Sequence, residues 1–432
     1  MFDKVIERIG GVFRQLPDYR KKSNRTTYNI SDAVLSAFAV FFLQYPSFLA
    51  HQRDMQRKKG QNNAQSLFGA HQIPSDGQIR NLLDLQAPEQ VGACFWWLYE
   101  ELKASKVLET YQAINGTLLC ALDGVVYFSS QAIHCENCTQ IEHGNTITYQ
   151  HSVIAPVIVA PERAEVLSLE PEFIRPQDGA EKQDCEQQAI KRWIEHHAKR
   201  FAPYSLTLLT DDLHCHQPLC ALCEQYQLNF ILVCLPDSHP TLYQEIALLD
   251  KIKAVHSLTQ VSWNGRFRQE WRYRFVNVLP IRAGDDAKRV NWCELTLVRQ
   301  DTGEILYYNT LATNFHLTEQ SVVEVFRCGR TRWKTENENH NTLKNHGYHL
   351  EHNFGHGSHF LSAFLLSLNL LAFLLHTILQ LTDSLYQQIR AELGSRSTFF
   401  ADLQTLTRYF FFADWRSLLS FMATQLELSA SP

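Results

Sequence analysis

The spacing of apolar and polar residues divides the chain into a helical first part and a mixed second part. Apolar residues recur at helical intervals in 32–43, 76–87 and 90–104, so each of these segments is predicted to be a helix. The segment 32–43 is apolar on almost every side, which indicates a buried helix. We therefore expect residues 1–112 to form a helical N-terminal region.

Apolar runs of strand length follow, and most of them end at turn residues. Five such runs are predicted as strands, at 117–122, 146–160, 164–169, 205–210 and 229–235.

Polar helical patterns at 180–200 and 218–226 separate the last three of these strands. The resulting order of strand, strand, strand, helix, strand, helix, strand resembles that of a ribonuclease-H-like domain. We assign the first part of this core to residues 113–240.

Strand patterns return between 253 and 313, which predicts a β-rich insertion at 241–315. A helical pattern then runs from 318 to about 390, with a break at 355–357. Residues 316–432 are expected to complete the core and add C-terminal helices. The predicted fold class is therefore mixed α/β: a ribonuclease-H-like core with a helical N-terminal region and a β-rich insertion.

One segment is long and apolar enough to cross a membrane. Residues 352–382 contain no charged side chain, and 360–381 are rich in Leu and Phe. Polar residues interrupt the segment and it stands alone, so a buried core helix is the better interpretation. The N-terminus has acidic residues and no long apolar run, which argues against a secretory signal. We expect a cytoplasmic protein without a membrane partner.

Composition agrees with a folded intracellular protein. The chain has 432 residues, 45% of them hydrophobic, and a formal net charge of -5. Eleven cysteines, an odd number, favour free thiols over a disulfide framework. Since the overall charge is not basic, any DNA binding has to depend on local clusters of Arg and Lys.

Two basic clusters lie on either side of the apolar segment 32–43. They could bind phosphate groups or simply be solvated, and the sequence leaves both interpretations open. Their members are Arg14, Arg20, Lys21, Lys22 and Arg25 in the first cluster, and Arg53, Arg57, Lys58 and Lys59 in the second. Two further segments, 265–268 and 271–274, mix basic and aromatic residues, which suits stacking on splayed bases or ordinary cross-strand pairing.

Two aspartates stand at the ends of predicted strands. Asp123 follows the strand at 117–122, and Asp211 follows the strand at 205–210. Each alone is as easily a turn residue, because Asp before Gly or Asp is common in turns. Strands one and four are neighbours in a ribonuclease-H-like sheet, so together the two aspartates indicate a shared site for divalent cations.

A third acid is expected from a helix beside these strand ends. Glu336 lies in such a helical pattern, four residues after Arg332 and eight before Lys344. The alternative is an amphipathic surface helix with ion pairs between successive turns. An acid that binds metal, with cations one and two turns away for phosphate groups, would suit phosphodiester chemistry.

With these three acids and the cations near the third, the chain resembles the bacterial insertion-sequence transposases of the DDE superfamily. The resemblance is to the branch with a Y-R-E-K signature and a β-strand insertion. The resemblance covers most of the chain. Its matching stretches are LDG at 122–124, LTDDLH at 209–214, RTRWKTE at 330–336, GYHLEHNFGHG at 347–357 and LNLLAF at 368–373.

The resemblance implies that Asp123, Asp211 and Glu336 are catalytic and bind two Mg²⁺ ions, with Mn²⁺ as a possible substitute. It also implies DNA-phosphate contacts, from Arg330, Arg332 and Lys344. Gly329 stands where the signature has Tyr. Lys344 also comes eight residues after Glu336, where the signature has seven. Glu338 therefore remains an alternative to Glu336, and Asp212 is the alternative to Asp211.

Cysteine and histidine patterns suggest a second metal. Cys135 and Cys138, with His143 nearby, form a possible structural zinc site in the loop after the first strand. Cys220 and Cys223 lie in an apolar helical stretch and are interpreted as buried thiols.

Two other groups of residues are given ordinary structural interpretations. Asp184 and Glu186 are placed on a solvated helix face. Several histidines follow Glu336 and are interpreted as packing and phosphate-contacting residues. They are His340, His346, His349, His352, His356 and His359.

The predicted function is that of a cut-and-paste DNA transposase. Such an enzyme is a metal-dependent endonuclease that also joins the cut transposon ends to target DNA. Its partners would be double-stranded DNA and a second copy of the chain, because two ends must be brought together. The helical region 1–112 would bind the DNA ends, and the protein would be associated with the nucleoid. Two alternatives stay open: a nuclease of the same fold without strand transfer, and an inactive DNA-binding derivative.

Overall fold

The computed structural model describes residues 2–21, 27–178, 182–202 and 204–428. Its first part is helical, with α1 (Phe2–Phe13), α2 (Ile30–Phe42), α3 (Phe48–Met55), α4 (Lys58–Phe68), α5 (Asp76–Leu83) and α6 (Glu89–Ala104). The three helices predicted from apolar periodicity are confirmed as α2, α5 and α6, with shifted ends. Almost every residue of α2 is buried, as its composition predicts.

Strands dominate the next part of the chain. They are β1 (Leu118–Ala121), β2 (Gly124–Ser130), β3 (Thr139–His143), β4 (Thr146–Ile154), β5 (Val157–Val159), β6 (Leu167–Ser168) and β7 (Glu172–Phe173). Helices and strands then alternate as α7 (Lys182–His197), β8 (Leu206–Thr210), α8 (Gln217–Gln225), β9 (Asn229–Val233) and α9 (Pro240–Lys251).

The prediction of one strand at 146–160 is wrong. The chain forms β4 and β5 instead, and these belong to two different sheets. The break is at Pro156, which has no N–H group to donate to a strand partner. A second sheet, in the order β2-β4-β3 with β7 beside β4, was not predicted.

Four long strands and six helices complete the described chain. The strands are β10 (His256–Trp263), β11 (Arg268–Pro280), β12 (Arg289–Arg299) and β13 (Ile305–Thr313). The helices are α10 (Glu319–Arg330), α11 (Asn341–Asn345), α12 (Leu361–Thr382), α13 (Ser384–Leu393), α14 (Arg396–Tyr409) and α15 (Trp415–Gln425). Thr335–His340 is π-helical and continues directly into α11.

The larger sheet has the strand order β10-β11-β12-β13-β9-β8-β1-β5-β6 among the described residues. β1 pairs in parallel with β8, and β8 with β9, whereas β5 and β13 are antiparallel to their neighbours. The strands predicted within 253–313 are confirmed, and they extend this sheet through the pairing of β13 with β9. The fold is mixed α/β with a large sheet.

The apolar segment late in the chain is confirmed as a core helix. Among the described residues, α12 alone has the length and composition to cross a membrane, and 89% of its most apolar window is buried inside the protein. Two of its buried polar side chains donate hydrogen bonds to other parts of the fold. The Asn369 amide donates to the Tyr348 carbonyl at 2.8 Å, and His376 Nε2 donates to the Phe42 carbonyl at 3.0 Å.

Candidate active site

Pairing of β1 with β8 positions the two strand-end aspartates. Ala121 is opposite Leu209 in this parallel pair. Asp123 and Asp211 each follow two residues later, so both side chains leave the larger sheet at the same end. Asp123 lies where the chain passes from β1 of the larger sheet into β2 of the second sheet.

Glu336 approaches this end of the sheet from the π-helical segment. Its side chain is about half exposed, and Oε1 lies 3.0 Å from Nη2 of Arg332, one turn earlier. π-Helical turns are rare and occur often at functional sites, because the extra residue redirects a side chain. Glu336 is one of the negative charges that act on Asp123.

Asp123 is the electrostatic centre of this group. Burial is the largest influence and raises the pKa of Asp123 to about 6. The positive charge of Arg332 opposes this rise. Nearby carboxylates add to it, and they belong to Asp211, Glu186 and Glu336. The carboxyl group is thus held among other acids in a partly dehydrated site, which favours binding of a cation.

The placement of Glu186 on a solvated helix face is wrong. Glu186 is only 4% exposed and lies on the side of α7 that faces the sheets. A Cβ at Gly124 would lie 2.5 Å from Glu186 Oε1, so only glycine permits this approach next to Asp123. His214 lies between two acids, with Nε2 3.6 Å from Glu186 and 3.7 Å from Asp211. The side chain of Asp184 lies outside the described residues.

Two histidines belong to the site: His214 is not identified from the sequence, and His340 is interpreted there only as a packing or phosphate-contacting residue. His214 is buried between Glu186 and Asp211, and His340 Nδ1 is 3.7 Å from Asp123 Oδ2. Burial lowers the pKa of His340 to about 4, and the charge of Lys344 adds to this effect. His340 is therefore neutral at pH 7 and brings no positive charge to Asp123.

The two alternative acids point to other surroundings. Asp212 accepts a hydrogen bond from the Leu235 N–H at 2.7 Å and another from the Ser238 hydroxyl. Glu338 lines a surface groove and acts electrostatically on Lys334. The carboxylates that raise the pKa of Asp123 include those of Asp211 and Glu336. Those of Asp212 and Glu338 are not among them.

The residues expected to contact DNA phosphates have protein partners in this structure. Arg332 pairs with Glu336, and Lys344 Nζ lies 2.7 Å from Glu351 Oε1. The Arg330 guanidinium lies over two aromatic rings of the larger sheet, 4.6 Å from the centre of Tyr307 and 5.7 Å from that of Trp271.

Arg330 also lines an open groove of about 780 Å³ between the larger sheet and α10. Basic and aromatic side chains border the groove; they include Arg163, Arg327, Arg330, Trp271 and Trp333. Trp333 is 45% exposed, which is unusual for so large an apolar ring. The mixture of exposed cations and rings suits a nucleic-acid backbone with unpaired bases.

The N-terminal basic clusters are placed only in part. Arg53, Arg57, Lys58 and Lys59 are all exposed at the junction of α3 and α4. In the first cluster, Arg20 is paired with Asp18 at 2.7 Å. Lys22 and Arg25 lie outside the described residues.

The cysteine and histidine residues predicted for zinc are rearranged. Cys135 and Cys138 are together, but His143 is exposed at the end of β3 and does not belong to their group. His151 and His356 take its place, and all four donor atoms lie within 4.8 Å of one another. His151 is on β4, 13 positions after Cys138, whereas His356 precedes α12, 218 positions after Cys138.

A second buried group contains Cys215, Cys234 and His239. His239 Nε2 lies 3.4 Å from Asp212 Oδ1, so its imidazole already has a charged partner. Cys220 and Cys223 are buried thiols, as predicted, and all eleven cysteines are free.

Comparison with known proteins gives a likeness to solved structures only. The chain matches no protein-family model and no curated protein. It is similar to the cryo-EM structure of a piggyBac transposase synaptic complex with hairpin DNA, at 10% sequence identity and a TM-score of 0.40, over 99% of this chain and 80% of that one. A TM-score this low supports no inference about function. Nothing in these comparisons supports the Y-R-E-K branch or a bacterial source.

Proposed function

We propose that the chain is a DNA transposase of the DDE class. It would cut phosphodiester bonds at transposon ends and join the freed 3′-hydroxyl groups to target DNA. The observation that supports this proposal is the meeting of Asp123, Asp211 and Glu336, which come from β1, β8 and the π-helical segment. Along the chain, β1 is the first strand of the larger sheet and β8 is the fourth, and these two strands are neighbours. This arrangement favours a ribonuclease-H-like core.

The donor set suits two Mg²⁺ ions, with Mn²⁺ as a substitute. Hard divalent cations prefer carboxylate oxygens, and three acids from separate elements provide them. Oδ1 of Asp211 is buried and has no hydrogen-bond partner among the described residues. The His214 Nε2 atom is 3.7 Å away, too far for a hydrogen bond. A cation would give this oxygen the partner that it lacks.

When bound, the pair of ions would activate the attacking oxygen and neutralise charge on the leaving oxygen. In the proposed mechanism, Asp123, Asp211 and Glu336 hold the ions at the strand ends. Arg332 orients the Glu336 carboxylate through their ion pair. His340 stays neutral at pH 7 and adds no positive charge to that of Arg332 beside Asp123.

Double-stranded DNA is the proposed partner, with one transposon end along the groove beside α10. Arg330, Arg332 and Lys344 would contact phosphate groups near the scissile bond. Lys344 would exchange Glu351 for phosphate, because a surface ion pair contributes little free energy. Two copies of the chain would act together, since two transposon ends must be cut and joined.

The test is an excision assay in cells, with a marker placed between the native DNA flanks of the gene. The variants are Asp123→Asn, Glu336→Gln and, as a control at an exposed glutamate of α13, Glu392→Gln. Wild type and Glu392→Gln should excise the marker. The other two should lose at least about 100-fold, because even residues that only orient a metal ligand cost 10–100-fold when replaced.

Equal excision by wild type and Asp123→Asn would remove Asp123 from the active site. If none of the proteins excises, Mg²⁺-dependent nicking by the purified chain would indicate a nuclease without strand transfer. DNA binding without any metal-dependent nicking would indicate an inactive derivative.

A further inference from the structure

Four sulfur and nitrogen donors meet away from the candidate active site. Cys135 and Cys138 are in the loop between β2 and β3, His151 is on β4, and His356 is in the segment before α12. Cys138, His151 and His356 are buried, and Cys135 is partly exposed. More than 200 residues of chain separate the cysteines from His356, since Cys138 and His356 are 218 positions apart.

The spacing of the donor atoms is that of a tetrahedron. The two Sγ atoms are 3.9 Å apart, and His151 Nε2 lies 3.5 Å from each of them. His356 Nε2 is 3.4 Å from Cys138 Sγ and 3.2 Å from His151 Nε2. Zinc–sulfur bonds of ~2.3 Å and zinc–nitrogen bonds of ~2.0 Å in a tetrahedron give donor separations of about 3.8, 3.5 and 3.3 Å.

We propose that Cys135, Cys138, His151 and His356 bind one structural zinc ion, which joins the second sheet to the segment before α12. Two thiolates and two neutral imidazoles would balance the charge of Zn²⁺. Thiolate and imidazole donors select zinc over Mg²⁺, which takes oxygen ligands. This site is therefore chemically separate from the carboxylate site.

The orientation of His356 supports metal binding. Its Nδ1 lies 2.9 Å from the Gly357 carbonyl oxygen, which can only accept a hydrogen bond. Nδ1 therefore holds the proton, and the lone pair of Nε2 points to the other three donors. A backbone carbonyl that fixes the second nitrogen in this way is the usual arrangement around zinc-binding histidines.

Aromatic rings enclose the four donors. Tyr127 stacks on His151, with ring centres 5.8 Å apart, and Phe128 packs on His356 at 4.6 Å. An apolar shell of this kind keeps water from the ligands and strengthens the metal–ligand bonds.

Asp84 holds the same segment from the other side. Its carboxylate accepts hydrogen bonds from the N–H groups of Ser358 and His359 at about 3 Å. Gly357 has a φ of +71°, and a Cβ there would lie 2.1 Å from Asp84 Oδ1. The zinc ion and Asp84 would together fix this turn at the start of α12.

The first test measures metal in the full-length wild-type protein, purified under reducing conditions without chelators. Elemental analysis should find about one zinc ion per chain. X-ray absorption at the zinc edge should show two sulfur and two nitrogen neighbours. Absence of zinc, with no uptake at micromolar Zn²⁺, would overturn the proposal, as would a coordination shell without sulfur. A Cys135–Cys138 disulfide found in place of zinc would also overturn it.

The second test assigns the ligands. His356→Ala and Cys138→Ser should each lose at least 10-fold in zinc affinity, measured by competition with a chromogenic chelator. His143→Ala is the matched control and should bind zinc as wild type does. Loss of zinc in the His143 variant and retention in the His356 variant would overturn the ligand set. Should the ligand variants fail to fold, the wild-type absorption spectrum still decides the proposal.

Discussion

Asp211 and Asp212 are adjacent in the chain, but their carboxylates have different surroundings. Burial alone would raise the pKa of Asp212, but the His239 imidazole and hydrogen bonds from Leu235 and Ser238 hold it below its usual value. Asp212 thus stabilises the loop after β9. Asp211 has a buried oxygen without a hydrogen-bond partner among the described residues. From these contacts we infer a structural role for Asp212 and a metal-binding role for Asp211.

Asparagine substitutions should separate these two roles. We expect Asp211→Asn to abolish Mg²⁺-dependent cleavage and to leave the urea midpoint close to that of wild type. Asp212→Asn should instead lower the free energy of unfolding by about 1–3 kcal/mol, because it weakens hydrogen bonds to a charged group. Urea denaturation and a plasmid-nicking assay measure the two effects. Loss of stability in the Asp211 variant alone would reverse the assignment.

Glu170 is a buried acid away from both candidate sites. Burial raises its pKa from an ordinary 4.5 to about 7, although the Trp96 indole N–H donates to it and Arg200 opposes the rise. Its side chain is only 15% exposed, and His197 Nε2 is 3.8 Å away. The pKa of His197 is itself lowered to about 4 by burial and by neighbouring positive charge, so this histidine does not compensate Glu170 at neutral pH.

Stability should therefore fall as pH rises through this range. A carboxyl group with a raised pKa in the folded state contributes stability below pH 4.5 and loses it as pH passes 7. Glu170→Gln keeps an acceptor for Trp96. The free energy of unfolding of this variant, relative to that of wild type, should be higher at pH 8 than at pH 4.5 by up to about 3 kcal/mol. Urea unfolding at both pH values measures this, with exposed Glu142→Gln as the control. The same difference in free energy of unfolding between Glu170→Gln and wild type at both pH values would contradict the prediction.

At the scale of elements, α10 packs closely against the larger sheet at Gly329. A Cβ there would lie 2.8 Å from Leu311 Cδ1 and 3.0 Å from Ile231 Cγ2. Leu311 and Ile231 belong to β13 and β9, at the centre of the sheet. The tyrosine of the Y-R-E-K signature would have no space at this position, which gives a physical reason for glycine.

Alanine should be destabilising here although it favours helices. We expect Gly329→Ala to lower the free energy of unfolding by about 1–3 kcal/mol, because overpacking outweighs a helix-propensity gain of about 1 kcal/mol. Gly11 in α1 is the matched control, since a Cβ there meets no atom within 4 Å. Thermal unfolding of both variants measures the difference. A Gly329 variant as stable as the Gly11 variant would show that α10 is not closely packed.

Local pattern predicts the strands of the larger sheet and the two strand-end aspartates, because each lies in or beside a buried run, but it does not predict the second sheet. Pro156 is a visible signal for the break between β4 and β5. No local signal marks the burial of Glu186, since that depends on which face of α7 meets Gly124. His356 could not be grouped with the cysteines, because only the tertiary fold brings these residues together.

At the scale of the whole molecule, the two ends of the chain share one aromatic core. Trp415 of α15 contacts Phe2, Phe42 and Phe68, with ring centres 4.5, 5.3 and 5.4 Å away. Its indole N–H donates to the Leu67 carbonyl at 2.7 Å. Helices from the first and last parts of the chain are thus expected to unfold together.

Replacing this tryptophan tests that coupling. Trp415→Ala should lower the free energy of unfolding by about 3–5 kcal/mol, because it leaves a large cavity among Phe2, Phe42 and Phe68. Far-ultraviolet circular dichroism and amide hydrogen exchange in α2 should report the same shifted transition. Trp263→Ala is the control, since that ring is 63% exposed and should change stability by no more than about 0.5 kcal/mol. Loss of protection in α15 with α2 unchanged would show that the two ends fold separately. Protection lost in both helices together would show that the two ends of the chain form one cooperative unit.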